Sequence, residues 1–336
     1  MRRKNNLKIF ALILLIVTYA SCHIGALEIN IFQAFQNLIL HKKLNISEEI
    51  FFNLRLPRIL LAIFVGGSLA VAGCVLQSLF RNPLAEPSLI GVLSGGSLFV
   101  ALATIIFTEE TKLINANLQI YLPIFAAFIG AILVSFIVFK FAKFGSKTSV
   151  SHMLLAGIAI NSIAFAALGL LIYLSNDVQM RSLNFWMMGS LSLAMWPSVI
   201  SLILIFTICI FFLIKKSRQL DVILLGENEA KYLGIDFEKL KKQIVILASL
   251  LCASCIAVSG PIGFVGLVIP HITRIIFSTS HQFLIPASAI FGGILLLVAD
   301  AISRAIIAPA ELPVGILTAL IGGPYFLFLL IKQKNA

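Results

Sequence analysis

The chain of 336 residues is 60% apolar and only 12% charged, with a mean hydropathy of +1.06, whereas soluble domains carry roughly 25% charged residues. A water-soluble core cannot absorb that much apolar surface, which excludes a soluble enzyme or a nucleic-acid-binding domain as the main architecture. The formal net charge of +11 must then be explained by where the basic residues fall.

Apolar runs of about 20 residues, the length that crosses a ~30 Å hydrocarbon layer as a helix, recur along the whole chain. In order they predict about ten spans, at residues 7–25, 58–80, 89–107, 119–140, 152–174, 193–214, 243–259, 262–277, 283–303 and 312–331. The eighth is short and interrupted by Pro270. The expected fold is an all-α polytopic membrane protein, with one transmembrane domain over residues 1–336. An even number of spans leaves both termini on one side. With the N-terminus inside, eighteen of the 25 Lys and Arg fall on inner segments, and seven (Lys42, Lys43, Arg55, Arg58, Lys112, Arg181, Arg304) fall on outer ones. Basic residues are retained in the cytoplasm during insertion, so both termini are predicted there. The positive charge is then topology and attraction to membrane lipid, and no nucleic-acid partner is implied. A cleaved signal is the other reading of the N-terminus, because basic residues precede an apolar run and Cys22 follows small residues. It would invert the charge balance of every later loop.

Numbering the spans exposes an internal repeat. Residues 70–73 (Ala-Val-Ala-Gly) match residues 257–260 (Ala-Val-Ser-Gly), and the same offset aligns Pro83 with Pro270. Pro123, Phe128 and Gly130 recur as Pro286, Phe291 and Gly293, and Gly157-Ile158 recurs as Gly315-Ile316. Spans 2–5 and 7–10 would cross the membrane in opposite senses, an inverted repeat of the kind that builds a pathway opening to either side in turn. Chance matches among small residues are the plainer reading. Gly66 with Ala70, and Gly91 with Gly95, are spaced four apart, which lets helix backbones approach where lipid gives no hydrophobic drive for association. Polar residues inside spans are few: Gln77, Asn161, Thr318 and the pair Asp300 and Arg304, one turn apart. That pair is read either as an i,i+4 ion pair or as a docking point for a partner.

One loop is out of character. Residues 215–242 form a charged cytoplasmic segment in which residues 226–235 read as a short helix. Glu227 and Glu229 favour its positive N-terminal end, Ala230 and Leu233 are expected to share a face, and Gly234 suits a C-terminal stop. Such a helix either binds a protein or lies on lipid headgroups.

Several stretches together carry a family likeness. Arg55-Leu-Pro-Arg58 is followed by a Gly-rich span and then by Phe80-Arg-Asn-Pro-Leu-Ala-Glu-Pro87; to these add Gly260-Pro-Ile-Gly-Phe-Val-Gly-Leu-Val-Ile-Pro-His271, Ala310-Glu-Leu-Pro-Val-Gly-Ile316 and Gly-Glu-x-x-Ala-x-x-Leu-Gly from Gly226 to Gly234. From about residue 55 to its end the chain resembles the iron-chelate, haem and vitamin B12 permeases of binding-protein-dependent ABC importers. The resemblance implies the type II importer permease fold. It implies a second permease copy as homodimer partner, two ATPase subunits and a substrate-binding protein.

It also implies roles for residues. Gly226, Glu227, Glu229, Ala230, Leu233 and Gly234 correspond to the element coupling the permease to its ATPase. Asn82, Leu84, Ser149, Val150 and Ser151 correspond to a cytoplasmic gate, with Val150 where a relative has a hydroxyl residue. Arg55 and Arg304 correspond to outer arginines that receive carboxylates of the binding protein. Residues 180–191 and 308–313 look most like the haem-importing branch, with a siderophore-iron complex next and cobalamin after it.

The remaining chemistry is sparse. His23, His41, His152, His271 and His281 lack metal-ligand spacing, so neither a metal site nor a cofactor is expected, and a lone His at a membrane boundary reads as a surface residue. Cys252 and Cys255 lie inside a span and read as packing residues. Residues 145–148 (Gly-Ser-Lys-Thr) lack the glycine pattern of a nucleotide loop, so ATP is expected on another chain and no catalytic residue is assigned here. An ion-gradient-driven secondary transporter also fits the repeat. Against it, the spans lack the buried carboxylates expected of ion coupling, and it leaves residues 215–242 unexplained.

Overall fold

The computed structural model describes residues 2–24, 30–106, 121–144, 147–277, 280–307 and 310–334. Lys112, residues 145–146 and residues 308–309 lie outside the described residues. The helices in chain order are α1 Arg2–His23, α2 Ile31–Ile39, α3 Ile46–Ile50, α4 Leu56–Leu79, α5 Val92–Ile106, α6 Leu122–Phe141, α7 Val150–Tyr173 and α8 Asp177–Met187. They continue with α9 Trp196–Lys215, α10 Ser217–Ile223, α11 Glu227–Tyr232, α12 Phe237–Ser259, α13 Val265–Phe277, α14 His281–Ile306 and α15 Val314–Lys334. Among the described residues seven helices are long and apolar enough to cross a membrane, and α5, α13 and the apolar part of α15 are three shorter ones. These ten coincide with the ten predicted spans. Helices α2, α3, α8 and α10 were not expected. They lack long apolar runs, but Asn45 with Glu48 and Asn176 with Gln179 form capping boxes that start α3 and α8, a signature present in the sequence.

Helix α4 forms the centre of the bundle and is buried along most of its length. Its small residues explain why it can be. A Cβ on Gly66 would collide with the carbonyl of Gly292 in α14, and one on Gly73 with the carbonyl of Gly266 in α13. Removing side chains here lets backbones touch, which supplies van der Waals contact in a solvent with no hydrophobic drive. Gly95 meets the Gly130 carbonyl of α6 in the same way, but Gly91 departs from the expected helical pair. It lies just before α5 with φ +83°, closing the short 3-10 turn Pro87–Ile90, so the third span starts at Val92 rather than residue 89. Pro83 and Pro87 keep the preceding segment out of a regular helix.

The two halves pack reciprocally. Helix α4 rests on α13 and α14 of the second half, while α12 rests on α5 and α6 of the first; α5 pairs with α6 as α13 pairs with α14. Gly157 of α7 sits against the Leu89 carbonyl just before α5, whereas Gly315 of α15 sits first against the Met188 carbonyl, with the Pro261 carbonyl just before α13 farther off, so that sequence match is a structural one only in part. The match of Gly73 with Gly260 is not. Gly73 lies within α4, whereas Gly260 caps the end of α12 with φ +65°, and Pro83 lies in a loop while Pro270 is inside α13.

The segments before α5 and α13 also meet. Glu86 Oε1 accepts a hydrogen bond from the Phe264 amide at 3.0 Å, at a residue with φ +67°. With the predicted orientation these segments enter from opposite membrane faces, so both fold back into the bundle and the short helices are the remainders of broken spans. The carboxylate of Glu86 therefore sits between the two broken spans, where an inner surface loop was expected.

Candidate coupling, gating and docking sites

The short element over residues 226–235 is built by its glycines. Gly226 has φ +143° and carries the carboxylate of Glu229 folded over it, leaving no room for a Cβ. At the other end Gly234, with φ +75°, closes a Schellman turn in which the Ile235 amide donates to the Ala230 carbonyl and the Gly234 amide to that of Lys231, both at 3.0 Å. Between them α11 is only six residues long. Ala230 is fully buried, but Leu233 is 64% exposed, so the two do not share a face: Leu233 lies beyond the last helical residue, where the turn swings it outward. Tyr232 at 91% and Leu225 at 68% extend the same exposed apolar surface. Neither was singled out from the sequence, although an apolar side chain beside each capping glycine was the available signal.

Glu227 ties this element to its surroundings. Its carboxylate lies 3.9 Å from both Arg81, at the end of α4, and Lys241. Lys241 is buried, pairs with Glu238 at 2.8 Å and lies over the Phe237 ring. Arg81 adjoins the predicted gate segment, where Asn82 Oδ1 accepts from the Leu84 amide at 2.9 Å and fixes a tight turn. Ser149 caps the start of α7 by accepting from the His152 amide, Val150 is half-buried against the core and Ser151 is exposed. No hydrogen bond among the described residues joins Asn82 or Leu84 to residues 149–151. The link is indirect: Asn161 of α7 donates to the Ser88 carbonyl and accepts from Ser94 of α5.

A second connection runs inward from α10, the helix just before α11. Asp221 accepts from the His281 amide at 2.8 Å and from its Nδ1 at 2.5 Å, while His281 Nε2 lies 2.6 Å from Ser78 Oγ in α4. Arg274 reaches Ser78 and the Gln77 side chain. Gln77 in turn donates to the carbonyls of Gly266 and Leu267 at 3.3 Å. Pro270 has no amide hydrogen to satisfy the Gly266 carbonyl, so Gln77 takes that role. His281, expected at the surface, is fully buried because this chain of polar partners compensates it. Burial works against the charged form of Asp221, but the hydrogen bonds and charge of His281 outweigh it and hold the carboxyl below its ordinary value.

Arg55 and Arg304, predicted at the outer end, come together at the C-terminus of α1. Arg55 Nη1 donates to the Cys22 carbonyl at 2.7 Å and Arg304 Nη1 to the Ile24 carbonyl at 2.6 Å, which suits the negative end of a helix. Arg55 is 8% exposed. The i,i+4 pair forms, with Arg304 Nε 3.1 Å from Asp300, but Asp300 is shared: Arg58 Nε lies 2.9 Å from its other oxygen and Arg58 Nη1 reaches Glu311. Arg304 Nη2 is buried without a hydrogen-bond partner among the described residues. Cys252 and Cys255 are buried packing residues of α12.

Ten apolar helices in two reciprocally packed halves, broken spans meeting inside and an exposed apolar element on a charged loop define a membrane transport subunit. The chain belongs to the FecCD transport family, which matches residues 13–332. It is 42% identical over 328 residues to the hemin transport system permease protein HmuU of Yersinia pestis, covering 97% of this chain and 95% of that one. It is 35% identical to the iron(3+)-hydroxamate import system permease protein FhuG of Bacillus subtilis, with 96% and 95% covered. Among solved structures it is similar to a metal-chelate type ABC transporter in an inward-facing conformation, with a TM-score of 0.83, 33% identity and coverage of 98% and 99%.

Proposed function

We propose that this protein is the permease subunit of a binding-protein-dependent ABC importer and that its cargo is haem. The end-to-end likeness to a hemin permease at 42% identity carries the reading. The working unit is two copies of this chain with two ATPase subunits and a binding protein on the outer face, with both termini in the cytoplasm.

Gly226, Glu227, Glu229, Ala230, Leu233 and Gly234 form the coupling element. Its buried Ala230 anchors it to the bundle while Tyr232 and Leu233 face outward to be gripped. Closure of the ATPase subunits would push α11, and two connections would carry that push inward: the solvent-exposed pair of Glu227 with Arg81 beside the gate turn at Asn82 and Leu84, and the shorter bonds from Asp221 through His281 to α4. Ser149, Val150 and Ser151, at the start of α7, form the opposing side of the gate. On the outer face Arg55 and Arg304 form the docking point, a role that rests on the family likeness.

The test is uptake into proteoliposomes holding the permease with its ATPase, supplied with the binding protein and haem, a ferric hydroxamate or cobalamin. ATP-dependent accumulation of haem alone is expected. Accumulation of the hydroxamate without haem would overturn the cargo, and uptake that needs an ion gradient and no ATPase would overturn the class.

A further inference from the structure

A cavity of about 390 Å³ opens between α6 and α12. The face of α6 that lines it repeats at helical spacing through Ile132, Ser135, Phe139 and Lys140, and α12 contributes Lys242, Val245 and Ser249. The two ends differ in chemistry. At the cytoplasmic end Lys140, Lys143 and Lys242 are all exposed, and among the described residues no acidic side chain lines the cavity. Their neighbour Lys241 is buried and paired with Glu238, whereas these three carry no ion pair among the described residues. Further in, the walls are apolar.

Ser135 and Ser249, 3% and 4% exposed, lie along this apolar part. From Lys140 to Ile132 the wall runs about 12 Å at 1.5 Å per residue. Cations at the headgroup level and an apolar trench beyond match, in order, a phosphate and an acyl chain.

We propose that this cavity binds an acidic phospholipid of the cytoplasmic leaflet, its phosphate on Lys140, Lys143 and Lys242 and one chain between α6 and α12. Each lysine near an anionic lipid surface contributes about fivefold in affinity, so the three together contribute about a hundredfold. The site is independent of cargo. It would fasten α6 of the first half to α12 of the second at the inner face, the pairing through which the halves interlock.

The experiment is native mass spectrometry of the full-length permease, delipidated in mild detergent and titrated with phosphatidylglycerol or phosphatidylcholine. Wild type is expected to retain phosphatidylglycerol and not phosphatidylcholine. The variant Lys140→Gln/Lys143→Gln/Lys242→Gln should retain it about a hundredfold more weakly. Ser249→Leu, which fills the trench and keeps every lysine, should also lose it. Equal retention of phosphatidylcholine, indifference to Ser249→Leu, or displacement by millimolar glycerol phosphate would overturn the proposal, the last by assigning the lysines to a soluble anion. Loss of a subunit contact in the triple variant with lipid retention unchanged would assign the groove to a protein partner and overturn it too. Should the triple variant misfold, Lys242→Gln alone is expected to weaken retention about fivefold, and no change would count against the site.

Discussion

Replacing Asp300 with alanine removes a carboxylate that is fully buried and shared by Arg58 and Arg304. Deleting one partner of a buried ion pair costs about 3–5 kcal/mol, because the remaining charge is left uncompensated. Here the cost falls unequally. Arg58 keeps Glu311, with bonds of 2.7 and 2.8 Å, whereas Arg304 keeps only the Ile24 carbonyl among the described residues, and its Nη2 is already without a partner. The expected loss for Asp300→Ala is therefore about 3 kcal/mol, the lower end of that range. Asp300→Ala/Arg304→Met should recover most of it, since no stranded charge remains. All five cysteines are free and buried, so a thiol-reactive fluorophore reports unfolding in detergent directly. A single variant within about 1 kcal/mol of wild type, or a double variant no more stable than the single, would refute the assignment of the buried charge to this cluster.

At the coupling element, Tyr232→Asp with Leu233→Asp should abolish ATP-driven uptake with the folded permease still in the membrane; undiminished uptake would place coupling elsewhere. Cysteines at Leu84 or Val150 should react with a cytoplasmic thiol reagent to an extent that changes with nucleotide state, and reactivity indifferent to ATP would argue against a gate there. Asp221 has a depressed carboxyl pKa in the folded protein, so its stabilising contribution is present above the ordinary value of about 4 and is lost as the pH falls through the lower folded value. Asp221→Asn should thus be less stable than wild type at neutral pH, with the difference closing below about pH 4 in thermal melts. A difference that stays constant through that range contradicts the His281 pairing.

Much of this protein was legible in its sequence because membrane insertion is governed by local composition. An apolar run near 20 residues reads as a span wherever it occurs, and the basic residues beside it read as an inner edge. The glycines at 226 and 234 delimit α11 by their conformational freedom alone, and motif likeness pointed to the family. Where prediction failed, the deciding interactions join residues far apart in the chain. Leu233 turned outward because a Schellman turn redirects the backbone after Tyr232. Arg58 meets Asp300, Glu86 meets the Phe264 amide, and His281 meets both Asp221 and Ser78. A lone ionisable residue beside an apolar run has no signature that names its partner: its desolvation is compensated only by whatever the packed halves bring to it. Hydropathy therefore determined which segments enter the membrane, and charge set the sense in which they are expected to cross it. The close approach of glycine-bearing helices, with the buried polar bonds that satisfy what Pro270 and the broken spans leave open, decided which of those segments touch.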